Sequence, residues 1–133
     1  MHVMPQSTFW QAHGQTLSTM LPHVIEFNLS HGARVDKYAL VAEAFGVADK
    51  HASDADNAKA AVEAVAELSR RVGTARSIVD MGGSEALVAE LTRQALIDTS
   101  MTYGAVQPNR EEVEAMYRSA LEDPVLYPQP EMA

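Results

Sequence analysis

Apolar residues recur at helical spacing in five separate segments, and this periodicity restricts the fold more than any other feature of the chain. The segments cover residues 14–29, 34–45, 55–72, 84–97 and 110–121. Within each segment the apolar positions follow the i, i+3, i+4, i+7 pattern of an amphipathic helix. Outside these segments no run of four or more residues shows the clean alternation that is typical of a half-buried strand. The sequence therefore predicts an all-α fold, a bundle of about five helices.

Residues with known preferences for helix ends mark several boundaries of these segments. Ser53 or Asp54 is predicted to cap the third helix, and Asn109 is predicted to cap the fifth. Gly46 follows the second helix and is predicted to end it. Pro22 lies inside the first helix, where it removes a backbone donor, so we expect it to kink or split that helix.

The same periodicity predicts which side chains of each helix face the core. The first helix is predicted to bury Leu17, Met20, Leu21, Val24 and Asn28, the second Val35, Tyr38, Ala39, Ala42 and Phe45, and the third Ala58, Ala61, Val62, Val65, Leu68 and Val72. In the fourth and fifth helices the predicted core residues are Leu87, Val88, Leu91 and Ala95, then Val113, Met116, Tyr117, Ala120 and Leu121.

Length and composition fit a single helical domain. The chain has 133 residues, of which 47% are apolar and only 6% aromatic, and its alanines, valines, leucines and methionines suit helices. We expect the helical domain to span residues 1–121. Residues 122–133 contain three prolines and are predicted to be an extended or disordered tail.

Charge and cysteine usage exclude several classes of function. The net charge of -8 disfavours a nucleic-acid partner and an anionic membrane surface, because both would repel the chain. No apolar run approaches the length of about 20 residues that a membrane span needs, and the N-terminus lacks the pattern of a signal peptide. Without cysteine the chain can form neither a disulfide nor a thiolate metal site. These features predict a cytoplasmic protein.

The histidines are the candidate metal ligands. His31 and His51 lie in polar connectors and are predicted to be surface residues. His13 and His23 are separated by about 280° on an ideal helix, so they do not share a face and are not expected to hold one metal ion together. From spacing alone, His13 is either an ordinary residue at a helix start or a ligand presented there.

An exposed apolar patch is expected around Phe9, Trp10 and Met20.

One stretch resembles a known protein family. The run HGQTLSTMLPHVIEFN, residues 13–28, followed by YALVAEAFG, resembles the C-terminal helical domain of the iron-dependent (group III) alcohol dehydrogenases. In that family a His-Gly pair opens a long helix that ends in a Leu-Pro-His-Val-like segment and a Phe-Asn pair. The later runs AVAELSRRVGTARSIVDMGGSEALVAELTRQAL and REEVEAMYRSAL are similar to its following helices. The resemblance covers residues 9–121, and HVM at residues 2–4 is similar to the maleylacetate reductase branch.

The resemblance implies a metal site and a nucleotide cofactor. In this family a divalent metal, Fe(II) or sometimes Zn(II), is held by one Asp and three His, and the His of the His-Gly pair is the last of these ligands. By that match His13 is expected to be a metal ligand, and His2 is expected to be an additional, non-ligating active-site histidine. The metal polarises the oxygen of an alcohol, aldehyde or keto substrate while NAD(P) exchanges hydride.

The expected function is therefore that of the metal-side domain of an NAD(P)-dependent alcohol dehydrogenase-type oxidoreductase acting on a small molecule. Because the nucleotide-binding half and the other ligands are absent from this sequence, we expect a truncated chain with an incomplete site. We expect it to bind metal weakly, to be inactive alone, and to need the missing nucleotide-binding domain or a homo-oligomeric partner. The alternatives are a helical protein-interaction module without catalysis and a gene remnant without function.

Overall fold

The computed structural model describes residues 13–122, and within that range it contains five α-helices and no strand. Two short 3-10 helices, Glu85–Leu87 and Thr99–Tyr103, flank the fourth α-helix. The α-helices are α1, His13–Ser30; α2, Val35–Phe45; α3, Asp54–Arg71; α4, Val88–Ile97; and α5, Arg110–Glu122. This architecture confirms the all-α prediction. No helix among the described residues is long and apolar enough to cross a membrane.

The helix α1 occupies a central position in the fold. It packs against α5 on one side and against α3 on the other. The helices α4 and α5 pack together, while α2 makes its main contacts with α3. The fold therefore consists of a unit formed by α1, α4 and α5, and of an α2–α3 hairpin that joins this unit through α1.

The largest hydrophobic cluster lies in the unit formed by α1, α4 and α5. The segment between α3 and α4 contributes Ile78 and Met81 to it. Its buried members are Met20, Ile78, Met81, Val88, Leu91, Ala95, Val113, Tyr117, Ala120 and Leu121. The predicted core residues of α4 and α5 are confirmed by this cluster, with Leu87 and Met116 packed at its edge.

The α2–α3 hairpin is packed mainly through alanines. Ala42 of α2 and Ala58 and Ala61 of α3 are at most 1% exposed, and Val62 is fully buried. Alanine side chains allow two helix backbones to approach closely, so the contact forms with little side-chain volume. The predictions for these four residues are confirmed.

Several larger side chains of the hairpin, by contrast, were wrongly predicted to be buried. Phe45, Leu68 and Val72 are exposed by 42%, 46% and 63% respectively. All three lie near the end of α2 or α3, where no described element covers them. Within the hairpin the periodicity correctly predicted Ala42, Ala58, Ala61 and Val62, which lie where α2 and α3 contact each other.

The buried face of α1 also differs from the prediction. Leu17 and Leu21 are exposed by 43% and 46%, whereas Thr16, Thr19 and His23 are buried. Of the predicted stripe, Met20 is buried and both Val24 and Asn28 are half-buried. The buried face is thus rotated by about 100° from the predicted stripe, which corresponds to one residue along the helix.

The ends of the helices follow the predicted signals. Ser53 accepts a hydrogen bond from the amide of Asp56 at 3.1 Å, and Asn109 accepts one from the amide of Glu112 at 2.8 Å. Gly46 ends α2 in the left-handed conformation, with φ of 76°. Buried Pro22 is accommodated inside an α1 that runs unbroken from His13 to Ser30, so the helix is not split.

Candidate functional site

The candidate site lies at the N-terminal end of α1. His13 is the first residue of that helix and is exposed, as is Gly14 beside it. A side chain at the first position of a helix extends from a fixed backbone without being surrounded by the turns that follow. His13 is therefore exposed at the start of α1, and its role as a metal ligand stays a prediction.

Two polar side chains fix this end of α1 to the segment that follows α3. The Gln15 amide donates a hydrogen bond to the carbonyl of Thr74 at 3.0 Å. The Thr19 hydroxyl, buried with 1% exposure, donates to the carbonyl of Arg76 at 2.8 Å. Part-buried hydrogen bonds of this kind oppose rotation and sliding of the helix, because breaking them leaves a carbonyl without this donor. Together they restrain the first turns of α1, the helix that begins at His13.

The segment that receives these bonds is itself fixed to α5. The amides of Ile78 and Val79 each donate to carbonyls at the end of α5, those of Ala120 and Leu121, at 2.9 Å. In addition, Asp80 accepts a hydrogen bond from the amide of Ser77 and donates its own amide to the Ser77 hydroxyl. The start of α1 is thereby connected to the main hydrophobic cluster through a rigid connector.

Sequence reasoning missed Gln15 and Thr19. The signal was present as a polar stripe, since Thr16, Thr19 and His23 recur at helical spacing within α1. Their burial was not predicted because hydrophobic periodicity alone assigns threonine and histidine to the solvent face.

A largely apolar strip of α1 runs beside His13 and remains exposed. Leu17 and Leu21 lie about 40° and 80° around the helix from His13, on the same side. We call the surface formed by His13, Leu17 and Leu21 the His13 face. Further along the helix the same strip continues to Val24 and Asn28, where residues 101–108 cover it. The His13 face is the part of this strip whose three residues are exposed.

The described residues do not form a complete metal site at this end of the helix. Among residues 13–122 there is no group of three or more His, Asp or Glu side chains that could hold a metal ion. A single imidazole gives weak affinity, because a metal site needs several ligands of suitable geometry. His13 fits the role of one ligand in a shared site, and this part of the chain does not form a complete site.

The other histidines occupy separate positions. His23 is buried at 3% exposure, on a different face of α1 from His13, which confirms that the two do not converge. His31 is exposed and lies 3.1 Å from a carboxylate oxygen of Glu112, at the far end of α1. His51 is exposed in the connector between α2 and α3, so the surface predictions for both are confirmed.

Some of the predicted residues lie outside the part of the chain that the structure describes. His2, Phe9 and Trp10 are among them, as is the predicted tail at 122–133 apart from its first residue, which ends α5. Of the predicted apolar patch around Phe9, Trp10 and Met20, only Met20 is described, and it is buried at 4% exposure.

The main electrostatic perturbation lies away from His13. Burial raises the pKa of the Tyr117 phenol well above its ordinary value, and the negative charge of Asp98 adds to the effect. Tyr117 belongs to the hydrophobic cluster and supports α5, so we assign it a structural role.

Comparison with known proteins gives a consistent set of relatives. A family model described as "Fe-containing alcohol dehydrogenase family, C-terminal" matches residues 1–121. The 1,3-propanediol dehydrogenases of Citrobacter freundii and Klebsiella pneumoniae are each 32% identical to this chain over 108 residues. Lactaldehyde reductase from Escherichia coli strain K12 is 29% identical over 117 residues. These matches cover 81% and 87% of the chain but only 27% and 30% of the relatives.

The fold is also similar to a solved structure. A crystal structure of 1,3-propanediol oxidoreductase superposes with a TM-score of 0.80 at 29% sequence identity. The superposition covers 86% of this chain and 29% of that protein. The chain thus spans less than a third of the length of the relatives it matches.

Proposed function

The chain belongs to the Fe-containing alcohol dehydrogenase family, and on that basis we propose that it is the helical, metal-side part of an NAD(P)-dependent oxidoreductase. The substrates we propose are small alcohols and aldehydes, since the relatives include a 1,3-propanediol dehydrogenase and a lactaldehyde reductase. The single observation that carries the proposal is the placement of His13, exposed at the start of a helix whose first turns are held by two part-buried hydrogen bonds.

In this proposal His13 contributes one imidazole nitrogen to a divalent metal, Fe(II) or Zn(II). Neutral imidazole suits both metals, and the remaining ligands come from outside residues 13–122. The metal and NAD(P), when bound, supply polarisation of the substrate oxygen and exchange of hydride. Gln15 and Thr19 act as positioning residues, because they fix the helix that presents the imidazole. His2 is proposed as a further active-site histidine.

The partner that we propose for the His13 face is a nucleotide-binding domain. Leu17 and Leu21 are nearly half exposed, and covering a leucine completely is worth roughly 1.5–3 kcal/mol relative to full exposure. Their position beside His13 means that a domain which completes the metal site also covers them. Exclusion of water from this junction strengthens the electrostatic interactions within it.

The proposal can be tested by reconstitution. The chain is mixed with the part of Klebsiella pneumoniae 1,3-propanediol dehydrogenase that it does not match, together with Fe(II) or Zn(II) and NAD. NADH formation with 1,3-propanediol is then followed. We expect His13→Ala to abolish metal retention and turnover, whereas His51→Ala, which changes an exposed histidine of the α2–α3 connector, keeps both. Equal activity of the two variants contradicts the role of His13.

Two further variants separate docking from ligation. Replacement of both Leu17 and Leu21 by Ala should weaken association of the two parts, as measured by ultracentrifugation, while Leu40→Ala on α2 leaves it unchanged. His2→Gln should lower turnover without loss of metal. Metal loss in that variant contradicts the non-ligating role.

The exposed leucines also favour a second candidate, a helical interaction module without catalysis. In that case the His13 face binds a partner subunit or a second copy of the chain, and no metal is involved. Association that depends on Leu17 and Leu21 but is indifferent to His13→Ala and to chelator supports this candidate. If the chain stays monomeric at high concentration and binds no other domain or subunit, the interaction-module candidate is contradicted.

A further inference from the structure

A pocket of 120 Å³ lies between the C-terminal half of α1, the start of α5 and the loop that joins α4 to α5. It lies apart from the His13 face and borders the hydrophobic cluster, because Val113 and Tyr117 belong to both the pocket wall and the cluster. The lining residues are Val24, Phe27, Asn28, Met101, Gly104, Ala105, Val106, Pro108, Val113, Met116 and Tyr117.

The walls of this pocket are almost entirely apolar. None of its lining residues is an acid, a lysine, an arginine or a histidine. Its floor is buried, since Val113 and Tyr117 are exposed by only 1% and 3%. The single amide in the wall belongs to Asn28, whose Nδ2 donates a hydrogen bond to the Tyr38 hydroxyl of α2 at 3.0 Å. Water inside the pocket therefore has few protein partners, and displacing it with an apolar molecule is favourable.

The loop that forms one wall is ordered by its own hydrogen bonds. The Asp98 carboxylate accepts from the amide of Ser100 at 2.8 Å, which caps the short 3-10 helix Thr99–Tyr103. The Gln107 amide donates to the carbonyl of Thr102 at 3.2 Å. A wall that is already folded costs little ordering entropy when a ligand binds, which is typical of small-molecule sites.

The pocket is separate from the proposed metal end. Val24, its lining residue nearest to His13 along α1, lies eleven residues further on, which is about 16 Å at the rise of an α-helix. A small substrate whose oxygen is bound to a metal at His13 is too short to extend into this pocket. The pocket therefore does not serve as the reaction site of the proposed function, and the inference below does not depend on that function.

We propose that this pocket binds a small, uncharged, hydrocarbon-rich molecule. Its volume approaches the roughly 150 Å³ of apolar protein cavities that accept benzene, so the expected ligand has about the size of one six-membered ring. Charged molecules are excluded, because no lining residue offers a compensating charge. The Asn28 side chain provides one polar position for a hydroxyl or carbonyl group at the edge of the ligand.

The experiment titrates the complete chain with benzene and follows its methionine methyl groups by NMR. Met101 and Met116 line the pocket, whereas Met20 and Met81 of the hydrophobic cluster are not among its lining residues and serve as internal controls. We expect saturable shifts at Met101 and Met116 and unchanged signals for Met20 and Met81. Linear, unsaturable shifts, or equal shifts at all four methyl groups, overturn the proposal.

A pair of variants tests whether the pocket is the binding site. Val106→Phe places a ring in the pocket and should weaken benzene binding at least about tenfold. The matched control is Val79→Phe, which adds the same ring at an exposed position outside the lining and should bind as the parent does. Parental affinity in a folded Val106→Phe overturns the assignment. If that variant does not fold, the methyl shifts of the parent chain decide the question.

Discussion

The unit formed by α1, α4 and α5 and the α2–α3 hairpin achieve burial in different ways. The first encloses large side chains, among them Leu91, Tyr117 and Leu121, in one cluster. The hairpin is closed by alanines and Val62, and it leaves several larger side chains at the surface. The segment that holds His13 in position is bonded to the first unit, at the end of α5.

This difference indicates where stability and precision lie in the molecule. Hydrophobic free energy scales with buried apolar area, so a cluster of leucines, methionines and a tyrosine contributes more than a contact of methyl groups. We therefore expect the hairpin to open locally at a lower free energy than the rest of the fold. The candidate site is connected to the more stable of the two regions.

The prediction with the largest expected effect compares a leucine-to-alanine substitution in each of the two regions. Leu91→Ala, in the cluster at 7% exposure, should lower the free energy of unfolding by about 2–5 kcal/mol, because it leaves a cavity. Leu68→Ala, in the hairpin at 46% exposure, should cost less than about 1 kcal/mol. Urea denaturation of both variants measures the difference, and equal costs would remove the distinction between the two regions.

The second prediction concerns the alanine contact itself. Ala58 is fully buried, so Ala58→Leu should overpack the hairpin and destabilise it by about 1–3 kcal/mol. Ala44→Leu adds the same atoms at an exposed position of α2 and should be nearly neutral. In Ala58→Leu the backbone amides of α2 and α3 should exchange their hydrogens faster, while those of α4 stay protected. Equal acceleration in α4 would mean that the hairpin and the cluster unfold as one cooperative unit.

The third prediction uses the buried phenol of the cluster. Burial raises the pKa of Tyr117 in the folded chain, so the unfolded chain loses this proton first as the pH rises. The contribution of Tyr117 to stability is complete below pH 10, the ordinary pKa of a tyrosine. Above that pH the free energy of unfolding falls by about 1 kcal/mol per pH unit. Denaturation at a series of alkaline pH values should show a shallower loss for Tyr117→Phe than for the parent. Tyr103→Phe, at an exposed position, should keep the parental slope.

The fourth prediction tests the hydrogen bond between α1 and the segment that follows α3. Thr19→Val removes the hydrogen bond to the Arg76 carbonyl and should cost about 1–2 kcal/mol, since that carbonyl loses its donor. Thr92→Val, which removes a bond to Val88 within a single helix turn, should cost less. If Thr19→Val leaves stability unchanged and does not alter the NMR signals of His13, the hydrogen bond does not position the histidine.

Local sequence signals determined the helices of this chain and most of their ends. Ser53, Asn109 and Gly46 act through backbone groups within a few residues of themselves, so their roles can be read without knowledge of the fold. The buried residues of α4 and α5 were also predictable, since each helix has a single apolar face that covers the other.

The tertiary structure alone decided what each face of α1 contacts. The sequence places Leu17 and Leu21 on an apolar strip, but an apolar pattern does not state which neighbour covers it. Within residues 13–122 the neighbours instead cover Thr16, Thr19 and His23, and the buried Thr19 hydroxyl is satisfied by its hydrogen bond to the carbonyl of Arg76. Such bonds join residues far apart in the chain, and so no periodicity can predict them.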